Sequence, residues 1–214
     1  MASKVEVANL ALTKLGDDPI LLLTDDTKPA RTLNRIFDLV ANAEMQANWW
    51  KFTVKRTELS ALVDPPAWGY ASQYPLPSDY LGLIQVNDIY LCSASRQRGL
   101  WSVEAGLILT DMQAPLKLRY IQRVPVASWH SLFVDAFACK LAMEACETLT
   151  QSDSKFQRVA KMYEVAIQRA HSMDAIENPP EQFPLGSWNE SREGGAVGTG
   201  GDGWSALPTN MVIG

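Results

Sequence analysis

The sequence is poor in the residues that build metal and redox sites. It holds three cysteines and two histidines in 214 residues, and it has no C-x-x-C pair. Cys139 and Cys146 are seven residues apart in a helical pattern, so they lie two turns apart, beyond disulfide reach. His130 and His171 have no partners at ligand spacing. The sequence therefore predicts buried free thiols, Cys92 included, and no metal ion.

Long apolar runs are also missing. The longest is ILLL at 20–23, which is far too short to span a bilayer. Lys4 and Glu6 interrupt the amino terminus, so it lacks the apolar region of a signal peptide. We expect a protein made in a cytoplasm, with no membrane anchor.

Positive charge is scarce, and the net charge of −5 is unevenly placed. Residues 177–214 carry about −4, with five acidic residues against Arg192, which leaves about −1 for the rest of the chain. Binding to phosphate needs a basic face. The sequence therefore argues against a protein that binds free DNA on its outer surface. It is compatible with DNA that passes the protein without being bound.

The stretch GTGGDG at 198–203 matches the G-x-G-x-x-G pattern of dinucleotide-binding loops. Those glycines cradle a phosphate only when they follow a buried strand and open a helix. Here GSWNESREGGAV precedes them and WSALPTNMVIG follows, and neither has the required pattern. We expect no nucleotide cofactor, nor any other.

Helical periodicity occupies both ends of the folded region. Ser3 with Glu6 forms a capping box, Gly16 ends the first helix, and Thr27 caps the second. The inward stripe of the second helix continues through Ala43 or Glu44. Ser128 is expected to cap the third helix, and Phe156 to face inward from the fourth. The predicted helices span 3–15, 28–48, 130–149 and 153–175.

Between residues 51 and 124 the period changes to that of strands, with proline and glycine between short runs. Turn signals at 93–99, 105–106 and 111–115 suit an antiparallel meander of four to six strands. The predicted fold is α+β, an antiparallel four-helix body with an inserted antiparallel β domain and an extended C-terminal arm. The body comprises 1–50 and 127–177, the β domain 51–126, and the arm 178–214.

The sequence offers few groups of residues that could act together in catalysis. His130 precedes Ser131 and lies one turn before Asp135, but adjacent residues at a helix start point in different directions. Paired carboxylates occur as Glu144 with Glu147 and as aspartate pairs at 17–18 and 25–26, where capping or solvation explains them. We expect no catalytic residue.

Aromatic residues in the last segment are more informative. Trp188, Trp204 and Met211 are spaced along a glycine-rich stretch that cannot bury them by itself. We favour anchors for a partner, the alternative being packing against the chain's own helices. Arg96 and Arg98 stand in the turn SASRQRG, where a solvated turn, a docking tip and a basic lining near DNA all remain open.

Several stretches, in order, resemble the tail tubular protein A family, the adaptor or gatekeeper proteins of short-tailed bacteriophages. They include ANLALTKLGDDPILLLTDD, NWWKFTVKRTEL, YPLPSDYLGL and LTDMQAPLKLRYIQRV, and they fall within 8–38, 48–59, 74–83, 109–124 and 132–180. The resemblance covers most of residues 5–180. The SRQRG turn is longer than the family pattern, and the segment after 180 has no counterpart in it.

The resemblance implies a ring of twelve copies in the virion tail, beneath the portal protein and above the nozzle protein (tail tubular protein B). Such a head-to-tail adaptor completes the DNA channel and takes part in DNA ejection, without sequence-specific DNA binding; a tail fibre is a further candidate partner. Trp188, Trp204 and Met211 would then bind the portal or a neighbouring subunit, and Arg96 and Arg98 the nozzle side. A virion-associated cell-wall (glycan) hydrolase is the main alternative, and a nucleic-acid-binding module the lesser one.

Overall fold

The computed structural model describes residues 2–91 and 99–176, and within them the fold is α+β. Four helices and two antiparallel sheets make up this part of the chain. The helices are α1 (Lys4–Leu15), α2 (Lys28–Ala47), α3 (Ser131–Thr150) and α4 (Asp153–Ile176). Each helix begins and ends within about one residue of the predicted position, which confirms the helical periodicity.

Capping side chains set the ends of the first two helices. The hydroxyl of Ser3 accepts the N–H of Glu6, while the Glu6 carboxylate accepts the N–H of Ser3, so the predicted capping box is present. Gly16 ends α1 with φ at 69°, a left-handed conformation that glycine adopts without strain. The Thr27 hydroxyl accepts the N–H of Ala30 at the start of α2. The sequence thus specifies these boundaries locally.

The third helix begins differently from the prediction. His130 occupies its N-cap position without a capping side-chain bond, and Ser128 lies in a short 3-10 helix, Val126–Ser128. The expectation that Ser128 caps α3 is therefore wrong. The side chain of Trp129, which donates from Nε1 to the carbonyl of Val124, fixes the chain here instead.

The strands of the described residues form two sheets rather than one meander. These seven strands are β1 (Val54–Leu59), β2 (Ser72–Pro75), β3 (Tyr80–Val86), β4 (Ile89–Tyr90), β5 (Trp101–Glu104), β6 (Leu107–Thr110) and β7 (Leu116–Gln122). The first sheet has the order β1-β7-β3-β4, and the second the order β2-β6-β5. The meander of four to six strands was wrong in both count and order, because β1 pairs with β7 across the whole β region.

Register in the first sheet places Val54 opposite Ile121 and Leu59 opposite Leu116. The predicted turn at 105–106 joins β5 to β6, where Ala105 and Gly106 both have positive φ. That pair of conformations is typical of a tight hairpin turn. Only Gly99 of the predicted turn at 93–99 lies within the described residues.

Two buried clusters hold these elements. The larger is built from helical residues with Trp50, Val124 and Trp129, and α3 packs against each of the other three helices. Aromatic rings pack against one another within it. For example, Trp50 meets Phe133 edge-on, with ring centroids 5.1 Å apart. The smaller cluster lies between the sheets and contains Tyr74, Leu83, Val86, Ile108, Leu116, Leu118 and Tyr120.

The inward faces of the helices follow the predicted stripes with two refinements. Of the two candidates for one position of the α2 stripe, Glu44 is buried and Ala43 is exposed. Phe156 is 44% exposed, so its assignment to the inward face of α4 was wrong, while Val159, Ala166 and Ala170 are buried. Cys139 and Cys146 are buried and free, as expected, and Cys92 lies outside the described residues. Within the described ranges no helix is long and apolar enough to cross a membrane.

Candidate functional site

The residues proposed for partner binding lie where the structure gives no description. Arg96 and Arg98 fall in 92–98, and Trp188, Trp204 and Met211 fall in 177–214. Their assignments, including the arm at 178–214, therefore stay predictions. The described residues carry other features that bear on function.

The side chains around His130 are engaged separately. The Asp135 carboxylate accepts a hydrogen bond from Lys14 Nζ at 2.8 Å, which ties α3 to α1. The His130 ring instead contacts Phe52, with ring centroids 5.0 Å apart. Asp135 therefore orients a lysine rather than the imidazole.

The carboxylate pairs singled out in the sequence have structural partners. Glu144 forms an ion pair with Lys140 at 2.9 Å, one helical turn away. Asp17 Oδ1 accepts the N–H of Asp18, and Asp26 pairs with Arg31 at 2.6 Å. No group of three or more histidine, cysteine or acidic side chains is arranged to hold a metal ion in the parts of the chain that the structure describes.

The loop at residues 17–26, hereafter the leucine loop, holds two apolar side chains in solvent. Leu21 is 86% exposed and Leu22 is 57% exposed. Asp25 Oδ2 accepts the N–H groups of both leucines, at 3.0 and 2.8 Å. The amide of Asn9 bonds Ile20 in both directions, donating to its carbonyl and accepting its N–H. The loop is therefore a fixed structure that presents Leu21 and Leu22 outward.

A second apolar surface runs along α4 and is called the α4 stripe. It consists of Met162, Val165, Met173 and Ile176, which are 39%, 48%, 47% and 74% exposed. Their spacing of three, eight and three residues keeps them on one side of the helix. Lys161 and Arg169 are exposed on the same side. This side of α4 combines apolar and cationic side chains.

The first two turns of α4 contact the end of α1. Lys155 Nζ donates to the carbonyl of Leu15, and the Arg158 guanidinium donates to the carbonyl of Lys14, both at 2.8 Å. Cations at a helix C-terminus satisfy its last carbonyls and its dipole. The α4 stripe begins where this contact ends.

A third apolar surface lies in the connection between β1 and β2, residues 60–71. Val63 is 98% exposed and Trp68 is 86% exposed. The connection is fastened at its ends, since the N–H of Leu62 donates to the carbonyl of Gln73 and that of Ala71 to Asp111 Oδ1. Large apolar groups held in solvent by an ordered backbone commonly mark contact sites.

The outer face of the first sheet carries a charged groove of about 420 Å³. Arg56 lies directly opposite Arg119 on neighbouring strands, and the hydroxyl of Tyr90 lies 3.1 Å from the Arg119 guanidinium. Lys117 adds a third cation, whereas Glu58 and Asp88 supply negative charge. Like charges directly opposite each other on a sheet are destabilising, whereas Glu58 lies opposite Lys117 on the same two strands, so the face carries charges of both signs.

The chain enters residues 92–98 directly after this groove, two residues beyond Tyr90. Arg96 and Arg98 therefore follow a sheet face that is already cationic in part. The cross-strand arginines were not among the predicted site residues, because strand alternation shows which residues share a face only after the pairing of β1 with β7 is known.

A pocket of about 430 Å³ opens between the start of α3 and the end of α4. Trp50, Phe52 and Phe133 line its wall, and Met173 of the α4 stripe lies at its edge. His171 stacks on Trp50 with ring centroids 4.4 Å apart, and Asp174 Oδ1 accepts the N–H of Lys51. The lining is mostly aromatic and apolar, and His130, Ser131 and Asp174 add polar groups to it.

The exposure of Leu21 and Leu22 in the leucine loop was also not predicted, although the sequence contains an unusual pattern there. DDPILLLTDD places three leucines between two aspartate pairs, outside any helical or strand period.

The sequence matches no protein-family model and no curated protein. The interpretation of these surfaces therefore rests on their own geometry.

Proposed function

We propose that the chain is a structural subunit of a bacteriophage tail, the head-to-tail adaptor between portal and nozzle. The observation that carries this proposal is the presence of apolar contact surfaces on three separate elements: the leucine loop, the α4 stripe and the 60–71 connection. Apolar side chains that cluster on a surface commonly mark contacts with other molecules. A subunit that contacts neighbours at its sides and different proteins at its two ends needs such surfaces.

The sequence resemblance supports the same function independently of these surfaces. In this proposal the four helices form an antiparallel body, residues 51–126 form a β domain inserted into it, and residues 178–214 form an extended arm. Copies assemble side by side into a ring of twelve through which DNA passes. The arm binds the portal or a neighbouring subunit through Trp188, Trp204 and Met211.

The β domain faces the nozzle protein in this proposal, with Arg96 and Arg98 as contacts. The groove supports this orientation, because Arg56 and Lys117 place cationic side chains on this face of the sheet. DNA within the ring is not bound by sequence. A few arginines let DNA slide, whereas a dense basic stripe would hold it.

The proposal is tested by binding to the portal protein and the nozzle protein of the same phage. Sedimentation of the purified chain with each ring should show that it joins both. A parallel assay measures the loss of turbidity of a peptidoglycan suspension. Binding without clearing supports the adaptor; clearing of peptidoglycan without binding overturns it in favour of a cell-wall hydrolase.

A further inference from the structure

We propose that the leucine loop of one copy docks on the α4 stripe of the next copy, making a head-to-tail contact. The proposal rests on the proposed function, in which copies assemble into a ring, and it names the surfaces that join them. Leu21 and Leu22 enter the apolar row formed by Met162, Val165, Met173 and Ile176. Lys161 and Arg169 then face the aspartates that flank the two leucines.

Hydrogen bonds hold the backbone of the leucine loop in place. Asp25 holds the backbone N–H groups of Leu21 and Leu22, and Asn9 holds Ile20, which is buried. The leucine side chains take no part in these bonds. Their outward position is therefore set by the backbone, and little conformational entropy is lost when they are buried by a partner.

The α4 stripe has a shape that suits two adjacent leucines. The α4 stripe spans 15 residues, and its two end residues lie about 21 Å apart at the rise of an α-helix. Its residues form two pairs, Met162 with Val165 and Met173 with Ile176, separated by Arg169. Two adjacent leucines at a loop apex fit a row of this kind as knobs between ridges.

The leucine loop and the stripe side of α4 carry charges of opposite sign. Residues 17–26 contain four aspartates and no lysine or arginine. Asp25 is used within the loop, and Asp26 shares an exposed ion pair with Arg31, while Asp18 is exposed. On α4, Lys161 and Arg169 lie on the stripe side, with Glu164 at its edge. Opposite charges around an apolar centre favour this pairing over loop against loop or stripe against stripe.

The two surfaces lie on different parts of the fold, because the loop joins α1 to α2 and the stripe belongs to α4. A contact between unlike surfaces is heterologous and leaves one surface of each kind open at the ends of any chain of copies. Association then continues until the ends meet, which produces a ring when the rotation closes. A contact between like surfaces would stop at two copies.

The test uses two variants of the full chain. The loop variant carries Leu21→Ser and Leu22→Ser, and the stripe variant carries Val165→Ser and Ile176→Ser. All four side chains are at least 48% exposed, so both variants should keep the far-ultraviolet circular dichroism and the melting temperature of the original. Leu39→Ser, at a leucine that is 70% exposed on α2, is the control for general loss of surface apolar groups.

Oligomer size is measured by sedimentation velocity over a range of concentrations, alone and with the portal ring. Each variant alone should need roughly tenfold more protein, or more, to associate than the original chain, since burial of two apolar side chains is lost. The two variants mixed should form a 1:1 pair, because each supplies the surface that the other lacks, and they should not grow further. The Leu39→Ser control should assemble as the original does.

The outcomes separate this contact from the proposed function. Rings that form normally from either variant overturn the contact and leave the adaptor function standing. A mixture that gains no pairing also overturns it, in favour of a contact between like surfaces. An original chain that neither self-associates nor binds the portal overturns both.

Discussion

The hydroxyl of Tyr163 lies 3.0 Å from both carboxylate oxygens of Glu44, and this contact joins α4 to α2 beside the helical core. Burial raises the pKa of Glu44 above its ordinary value of 4.5, although the Tyr163 bond and Lys140 partly oppose that effect. Burial and the adjacent Glu44 carboxylate likewise raise the pKa of Tyr163. A buried acidic group therefore contributes to stability in a way that depends on pH.

The first prediction concerns that dependence. Between the ordinary glutamate pKa and the raised pKa of Glu44, the folded state binds more protons than the unfolded state, so the free energy of unfolding falls as pH rises. Glu44→Gln keeps an acceptor for Tyr163 and removes the titration. We expect this variant to be at least as stable as the original at pH 7.5 and to lose part of the decline seen from pH 4.5 upward.

Urea denaturation at several pH values measures this effect. Glu147→Gln, the same chemical change at an exposed position of α3, serves as the control for the substitution itself. A Glu44→Gln profile that falls with pH as steeply as that of the original would contradict the assignment.

The second prediction concerns the centre of the helical core. Leu141 on α3 is completely buried. Leu141→Asp should cost roughly 5 kcal/mol or more, because a cavity is created and a charge is buried without a partner, and this approaches the whole stability of a domain. Circular dichroism should show loss of helix, whereas Leu132→Asp, at a 40% exposed leucine in the first turn of the same helix, should remain folded. A folded Leu141→Asp protein would mean that the core is misassigned.

How far the sequence alone could predict this fold differs between helices and strands. The helix boundaries at Ser3, Gly16 and Thr27 follow from side chains that bond their own neighbours, so local sequence was enough. The pairing of Val54 with Ile121 joins residues far apart in the chain, and the alternation of apolar residues does not encode which strands pair. The choice between Ala43 and Glu44 also needed tertiary contacts, because only Tyr163 and the surrounding core make the buried position acceptable to an acid.

The exposed apolar and charged surfaces were predicted less well for a related reason. The sequence contains the pattern that flanks Leu21 and Leu22, but their exposure depends on the bonds from Asp25 and Asn9, which are visible only in the fold. Arg56 and Arg119 likewise become neighbours only through the pairing of β1 with β7. Trp188, Trp204, Arg96 and Arg98 lie outside the described residues, so their roles rest on experiment.

The third prediction concerns Arg96 and Arg98. The sequence predicts that both lie in a solvated turn, and exposed charges contribute little to stability, so replacing both with Ala should leave the melting temperature unchanged. Binding to the nozzle protein should weaken, with a smaller dependence on salt, whereas binding to the portal should stay the same. A fall of many degrees in melting temperature would instead make these arginines structural.

The fourth prediction concerns the aromatic anchors. Trp188→Ala with Trp204→Ala should weaken binding to the portal or assembly of the ring by roughly tenfold or more, because buried tryptophans contribute strongly at interfaces. Trp68→Ala, at an exposed tryptophan of the 60–71 connection, is the matched control and should leave portal binding intact. Equal loss of portal binding in both proteins would contradict a specific role for the C-terminal anchors.

Electron microscopy of the purified chain, mixed with the portal ring and the nozzle protein of the same phage, tests the adaptor function most directly. The proposed function predicts particles in which a closed ring of this chain lies between the portal and the nozzle, with the channel open along their common axis. Particles in which the portal and the nozzle join without this chain, while the chain itself stays monomeric, would contradict it.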